Sequence, residues 1–524
     1  MQKIGAMTET VRYPIGQQSF EMIRKGGWLY VDKTRFIEKI ISYNQYCFLG
    51  RPRRFGKSLF LNTLQCFFEG KRHLFKRLYI DTVGWDWEPY PVLKLDLNTE
   101  KYKTPEALDS IVENMLIQWE REYGIIPDVD NHPARFGNII RTAYEKTGKS
   151  VVILVDEYDK PLVNNLHDRK NFEYCRDRLS ALYSNFKSGA DYIRLVFLTG
   201  VSRFAHLNVF SDLNNIQDIS FDEDFADICG ITDSELRANF PTGIEALATK
   251  YGKDTEQTVA RLKTYYDGYR FTEKETYVYN PYSLLNVMQK RKFDKYWIAS
   301  GTPTLLMEEM KRFDVDLQSL LNTRCSKSAL YGLDLDSASP IALFFQTGYL
   351  TVKDFDPDTE IYTLGLPNEE VETGFLEYLL PHYLNTGGQD TPFLISEFIN
   401  EFREGNVEGF MHRLQSLFAS VSYRMRMDQE INIHNGLLML ILLLGLKVQA
   451  EYSTSAGRID LFVATNRYYY IIELKLDGKA QTALDQIDSH GYALPFAVSS
   501  RHVIKIGANF STKTHTIEDW LVEY

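Results

Sequence analysis

The sequence predicts a multidomain α/β protein: a three-layer parallel sheet in the first half, a helical segment, a connector, and a second α/β domain at the end. Three observations predict it. An apolar run, Tyr46 to Leu49, turns through Gly50-Arg-Pro-Arg-Arg-Phe-Gly56 into Lys57-Ser58 and an apolar helical stretch. About a hundred residues later a second apolar run, Val151 to Val155, ends in Asp156-Glu157. Near the C-terminus, Gly457 to Val463 and Tyr469 to Lys475 read as strand, turn, strand, carrying Asp460, Glu473 and Lys475.

The first of these stretches has the chemistry of a phosphate cradle. Glycines let backbone N–H groups converge on an anion, and the helix that follows offers its positive end. Lys57 can reach terminal phosphates, and Ser58 can hold Mg²⁺. Gly50 stands one residue too far from Gly56 for the usual spacing, which leaves Arg51 where the first glycine is expected. Arg51, Arg53, Arg54 and Lys57 are a local cationic cluster in a chain of net charge −11, which favours an anionic ligand. The expected ligand is ATP, held by Gly56, Lys57, Ser58 and Arg54.

A continuous apolar run ending in carboxylates is the pattern of a buried parallel strand that delivers acids to its C-terminal edge, where ligands collect. Asp156 is expected to hold the Mg²⁺ shell with Ser58, and Glu157 to polarise the water that attacks the γ-phosphate. Val92 to Leu97 alternates like a strand, and Arg194 to Gly200 is a further apolar strand. On that strand Thr199, or Ser202 just beyond it, is placed to sense the γ-phosphate, with Arg203 as an accessory. A simple strand cap is the competing reading for each.

With 44% hydrophobic and 25% charged residues, 524 residues suffice for two to four domains with cores. Most of the 33 Tyr and 32 Phe belong in those cores. Five scattered cysteines show neither disulfide nor zinc spacing, so a reduced, cytoplasmic setting is expected. The run Leu437 to Leu446 is too short to cross a bilayer, so no membrane partner is expected. Net negative charge argues against a constitutively DNA-coating protein but permits a local basic groove.

From about 220 to 300 the pattern is helical and aromatic, like a lid, with Pro281 opening a helix through Met288. Asp267-Gly268 reads as a turn, and Tyr266 and Tyr269 as core. In the next hundred residues Leu343 to Val352 and Ile361 to Leu364 suggest two paired strands, and Asn368 can cap a helix beginning with Glu369 and Glu370. The acids Asp354, Asp356, Asp358 and Glu360 make a phosphate-facing wing unfavourable, so this segment is a connector.

In the last part, Glu473 and Lys475 share a strand face through the two-residue period, and Leu474 points the other way. Asp460 on the preceding strand completes a site with two oxygen ligands, which suits Mg²⁺, while an adjacent ammonium can orient or deprotonate water. That is phosphodiester hydrolysis chemistry. Ala480, Ala483, Leu484 and Ile487 give the next helix an apolar stripe. His434 reads as packed and not as a ligand.

Tyr13-Pro-Ile-Gly16, Tyr30-Val-Asp-Lys33, Arg51 to Ser58, Asp156-Glu-Tyr-Asp159, Thr199 to Phe204, Tyr266 to Phe271 and Tyr279 to Ser283 together resemble the AAA-ATPase-like family of bacterial proteins. The Arg-Pro-Arg-Arg-Phe loop is that family's norm. The resemblance implies an additional-strand P-loop ATPase fold with Glu157 catalytic. The C-terminal part resembles the PD-(D/E)xK nuclease superfamily, whose restriction-endonuclease-like domain is often joined to such ATPases. This resemblance places Asp460, Glu473 and Lys475 at the catalytic motif, Gln486 at its helix glutamine and Glu430 at the acid of its first helix. Ile459-Asp460 stands in place of the usual Pro-Asp.

The expected division is an ATPase core over 1–220, a helical lid over 221–300, a connector, winged-helix-like in outline, over 301–400, and a nuclease-like domain over 401–524. The expected function is ATP binding and hydrolysis coupled to Mg²⁺-dependent cleavage of DNA or RNA. The competing expectation is a nucleotide-switched signalling or scaffold protein whose nuclease-like domain is silent. Homo-oligomerisation is compatible with both.

Overall fold

The four apolar runs of the first half become strands β1 (Tyr46–Gly50), β2 (Val92–Asp96), β3 (Val151–Asp156) and β4 (Ile193–Gly200). A two-residue strand, β5 (Gln217–Asp218), joins them in a five-stranded sheet of order β2-β3-β4-β1-β5, parallel throughout. The computed structural model describes residues 11–43, 45–98, 101–203, 216–300, 310, 320, 323–331, 340–384, 397–398, 400–401, 404–419, 447–454, 457–496, 499–514 and 516–524. The chain forms two compact units, one of residues 1–301 and 322–371, the other of 302–321 and 372–524.

In the first unit β3 is buried along its whole length, as an apolar run flanked by sheet neighbours and covered by helices must be. The helices Pro105–Glu122, His132–Thr147 and Arg169–Ser188 cover one side with Leu116, Phe136, Ile140, Leu179 and Phe186. The sheet order inserts β4 between β1 and β3, which is the additional-strand arrangement. It brings the turn after β1, the carboxylates of β3 and the Thr199 end of β4 to one edge.

Helices Asp233–Asn239, Pro241–Tyr251, Thr255–Tyr266 and Pro281–Lys290 follow, packed around Leu236, Leu247, Leu262, Tyr266 and Leu284. Reciprocal capping boxes start two of them, Thr232 with Glu235 and Asp254 with Gln257. Lys33, in the Tyr30-Val-Asp-Lys33 stretch, fastens the N-terminal arm to this bundle by donating to both oxygens of Glu235 at 2.7 Å. Tyr266 and Tyr269 are core, as expected.

The connector corrects one expectation. Leu343 to Thr347 is not strand but part of the helix Ile341–Thr347, closed by Gly348 at φ +90°. A continuous apolar run fits a buried helix and a buried strand equally well, and the left-handed glycine decides for the helix. The strand begins only at β7 (Thr351–Asp356), which pairs with β8 (Ile361–Gly365); β6 (Arg324–Ser326) adds on the other side of β8. Asn368 caps the helix Glu369–Leu384, its Oδ1 accepting from the Val371 N–H.

The second unit carries a mixed sheet of five strands. β9 (Lys447–Thr454), β10 (Gly457–Ala464) and β11 (Tyr468–Leu476) run antiparallel. The helix Ala480–Ser489 then crosses to β12 (His502–Ser511), parallel to β11, and β13 (Thr516–Glu523) closes the edge. Ala480, Ala483, Leu484 and Ile487 are buried, as the apolar stripe predicted. Glu430, His434 and the run Leu437 to Leu446 lie outside the described residues.

All five cysteines are free and buried. Among the described residues no helix is long and apolar enough to cross a membrane.

Candidate functional site

The turn after β1 takes left-handed backbone at Arg54 (φ +68°) and at Gly56 (φ +101°), which caps the helix Lys57–Phe68. The spacing departure then has a structural reason. Arg51 needs no glycine conformation, and its side chain leaves the turn to donate to the carbonyls of Gly50, Ser220 and Phe225. Burial lowers the Arg51 guanidinium to about 10, which leaves it charged at neutral pH.

Lys57 is 3% exposed, donates to the carbonyls of Arg51 at 2.9 Å and Pro52 at 3.2 Å, and lies 3.6 Å from the Glu157 carboxylate. Thr199 donates its hydroxyl to Asp156 at 2.6 Å. Burial raises the Asp156 carboxyl above its ordinary range, against hydrogen bonds from Thr199 and Ser58 that favour the ion. Glu157 adopts φ +54°, a conformation uncommon for a non-glycine residue, and its N–H points to the Thr199 hydroxyl at 3.4 Å. Gly56, Lys57, Ser58, Asp156, Glu157 and Thr199 thus form one connected group.

Two of the expected residues stand apart. Arg54 is exposed, with its guanidinium 4.9 Å above the Tyr282 ring. Arg203 pairs with Asp218 of β5 at 2.8 Å and lies over Tyr331, so its charge is engaged on the β5 side.

One participant was missed. Asp159 is 1% exposed and accepts from the N–H groups of Val201 at 3.1 Å and Ser202 at 2.6 Å, and Tyr158 donates to the Ser202 carbonyl. This ties the acidic turn after β3 to the end of β4. Burial, with the Glu157 charge adding, pushes the Asp159 carboxyl up to about 7. The acid three residues after Asp156 was the available signal.

In the second unit Asp460 lies within β10, and its Oδ2 accepts from the Leu474 N–H at 2.9 Å. The Asp460 N–H points back to Glu473 Oε2 at 3.4 Å. Glu473 is 1% exposed, and burial followed by the Asp460 charge raises its carboxyl to about 7, with Lys475 opposing. The Lys475 ammonium lies 3.5 Å from Glu473 and donates to Gln486 Oε1 at 2.6 Å. Asp460, Glu473, Lys475 and Gln486 therefore meet.

Comparison with known proteins matches residues 14–210 to the family described as "Predicted AAA-ATPase" and residues 428–520 to the PD-(D/E)XK nuclease superfamily. A protein of Azotobacter chroococcum mcd 1, named "Uncharacterized protein in vnfD 5'region", is 34% identical over 533 residues, covering 98% of this chain and 99% of the relative. The chain belongs to the AAA-ATPase-like family. It carries a PD-(D/E)XK nuclease-superfamily domain at its C-terminus.

Domains of these two kinds use ATP and divalent metal ions, and the donor sets of this AAA-ATPase-like protein fit both. The space beside Gly56 is open for 4 Å around the place a Cβ would take, and the first-turn N–H groups of the helix have no intrahelical partner. Asp156 and Ser58 supply oxygens of the kind Mg²⁺ takes alongside retained waters. In the nuclease-like domain two interacting carboxylates, one buried and pushed toward the neutral acid, are a negative pair that a divalent cation would relieve. Among the described residues no group of three or more His, Cys, Asp or Glu is gathered so as to hold a metal ion.

Proposed function

We propose that the protein binds and hydrolyses ATP in its first unit and uses the nucleotide state to govern a Mg²⁺-dependent nuclease centre acting on DNA or RNA phosphodiesters. The observation that carries this reading is the hydrogen-bonded path from Ser58 through Asp156 to Thr199, with Glu157 and Lys57 beside it.

In this reading Lys57 leaves the carbonyls of Arg51 and Pro52 to meet the β- and γ-phosphates, and the N–H groups of the turn bind phosphate oxygens. Arg54 adds positive charge at the rim. Ser58 and Asp156 would hold the hydrated Mg²⁺, which when bound neutralises charge developing on the phosphates. Glu157 orients the attacking water and draws its proton, and Thr199 fixes Asp156 while facing the γ-phosphate.

In the nuclease-like domain Asp460 and Glu473 would hold the metal, and Lys475, steadied by Gln486, orients water at the scissile phosphate. Lys57→Ala should abolish ATP turnover, and Glu157→Gln should abolish turnover while keeping nucleotide affinity. Lys475→Ala should abolish Mg²⁺-dependent strand cutting and leave ATP turnover intact. Parent-like turnover in both ATP-site variants would remove the ATPase reading.

A second reading is a nucleotide-switched signalling or scaffold protein whose nuclease-like domain is silent and only binds nucleic acid or a partner. It is favoured by Asp460, one of whose oxygens is already taken by the Leu474 N–H. Under this reading ATP promotes assembly, and no DNA or RNA in a substrate panel is cut by the parent.

A further inference from the structure

Two sequence motifs that the proposed chemistry does not use, Tyr266 to Phe271 and Tyr279 to Ser283, close on the phosphate turn and on one buried carboxylate. Phe55 of the turn packs edge-on against Tyr269 at 4.7 Å and against Phe271 at 5.4 Å. Gly348 lies against Pro52 so closely that a Cβ there would come within 2.8 Å of its ring. Trp297, in the short helix Tyr296–Ser300, donates its indole N–H to the Arg53 carbonyl at 3.1 Å.

Trp297 is held from behind. Glu370, fully buried, accepts at Oε1 from the Trp297 backbone N–H at 2.6 Å and from the Ser283 hydroxyl at 3.0 Å. Its other oxygen has no partner among the described residues. Burying a carboxyl is costly, and here the two donors on Oε1 are what offset it, so the anchor to Trp297 and Ser283 is strongly held.

The Arg53 carbonyl and the Arg54 N–H are opposite ends of one planar trans peptide. A donor on the carbonyl therefore aims the Arg54 N–H away from Trp297 and steadies the left-handed residue that follows. Glu370 lies in the first turn of the helix Glu369–Leu384, in which the chain passes from the first compact unit to the second.

We propose that Trp297, held by Glu370, is a positioning residue of the phosphate turn, and that through this pair nucleotide occupancy is felt at the start of the helix Glu369–Leu384. The inference rests on the ATP-site reading and adds a means of regulation to it. A nucleotide that draws the turn around its phosphates shifts the Arg53 carbonyl, then Trp297, then the Glu370 anchor.

The test uses the full chain labelled with 5-fluorotryptophan, with ADP and Mg²⁺ as probe. The ¹⁹F resonance of Trp297, assigned with Trp297→Phe and independently with Trp297→His, is expected to shift on saturation. Trp297→Phe keeps an aromatic ring and loses the donor, so ADP should bind about three- to tenfold more weakly. Glu370→Gln keeps an acceptor at Oε1 and should bind ADP like the parent, whereas Glu370→Ala should match Trp297→Phe. An unmoved resonance, or parent-like affinity in both Trp297→Phe and Glu370→Ala, overturns the proposal while leaving the ATP site standing. A parent that binds no ADP overturns both. The ¹⁹F shift is read on the parent, so it decides the matter even where a variant fails to fold.

Discussion

Thr199, near the end of β4, donates a hydrogen bond from its hydroxyl to Asp156 Oδ1 at the end of β3 across 2.6 Å, joining two neighbouring strands at the sheet edge. The bond favours the ionised form of a carboxylate that burial pushes above its ordinary range.

Thr199→Val should therefore raise the Asp156 carboxyl further. The proposed Mg²⁺ ligation needs Asp156 as the ion, so under that proposal the acid limb of the kcat profile for ATP turnover should move to higher pH. A hydrogen bond to a charged group is worth about 1.5–3 kcal/mol, so the limb should move by about one to two pH units, with a loss of kcat on its acid side. Thr199→Ser restores the donor and should recover most of the loss. A Val variant with the parent's acid limb and kcat would refute the relationship.

Much of this site was legible in the sequence because its parts are local patterns. The run Val151 to Val155 ending in Asp156-Glu157 has the pattern of a buried strand delivering acids to a sheet edge, and Gly56-Lys57-Ser58 marks a strand-to-helix turn. What was not legible depends on contacts between distant segments. Nothing local shows that Arg51 finds the carbonyls of Ser220 and Phe225, or that Arg203 turns to Asp218 on a strand of only two residues. Leu343 to Thr347 was misread because a short apolar run has no period that separates helix from strand. In the C-terminal domain the two-residue period put Glu473 and Lys475 on one face, whereas Gln486 was named only through the resemblance to the nuclease superfamily and is brought to Lys475 by the fold.

Gly507 of β12 is paired with Glu473 and lies under the helix Ala480–Ser489. A Cβ there would sit 2.5 Å from the Ala480 carbonyl oxygen and 2.6 Å from the Leu484 nitrogen, both backbone atoms, so the helix itself must move. Gly507→Ala should cost about 1–3 kcal/mol in urea unfolding of the C-terminal transition and weaken strand cutting with it. Parent-like unfolding would mean that the helix is not seated as closely as described.

The 2.6 Å bond from Lys475 to Gln486 holds the ammonium beside Glu473, which it approaches to 3.5 Å. Gln486→Ala frees the lysine tip without altering any charge. Mg²⁺-dependent cleavage of a fluorescent DNA should fall about tenfold, as expected for losing one charge-assisted hydrogen bond, with ATP turnover unchanged. Gln486→Glu should restore an acceptor but add a third carboxylate near the centre, and should shift the Mg²⁺ concentration needed for half-maximal cutting. Cleavage insensitive to both changes would detach Gln486 from the centre.

Asp267, in the turn after the helix Thr255–Tyr266, supplies a test of stability against pH. It is 3% exposed, its Oδ1 has no partner among the described residues, and burial pushes its carboxyl up from 3.8 to about 6. The Gly268 N–H, Lys263 and Lys353 favour the ion and Asp233 opposes it, but burial outweighs them. A folded-state value above the unfolded one means that the native state binds the proton more tightly. The contribution is full below about 3.8 and is lost as pH rises through about 6. Asp267→Asn carries no such charge, so its stability relative to the parent should rise between those values, by up to about 3 kcal/mol, and then level off. Thermal unfolding of parent and variant across that range measures the difference. A difference that stays flat or falls as pH rises would show that Asp267 ionises in the folded chain as freely as in the unfolded one.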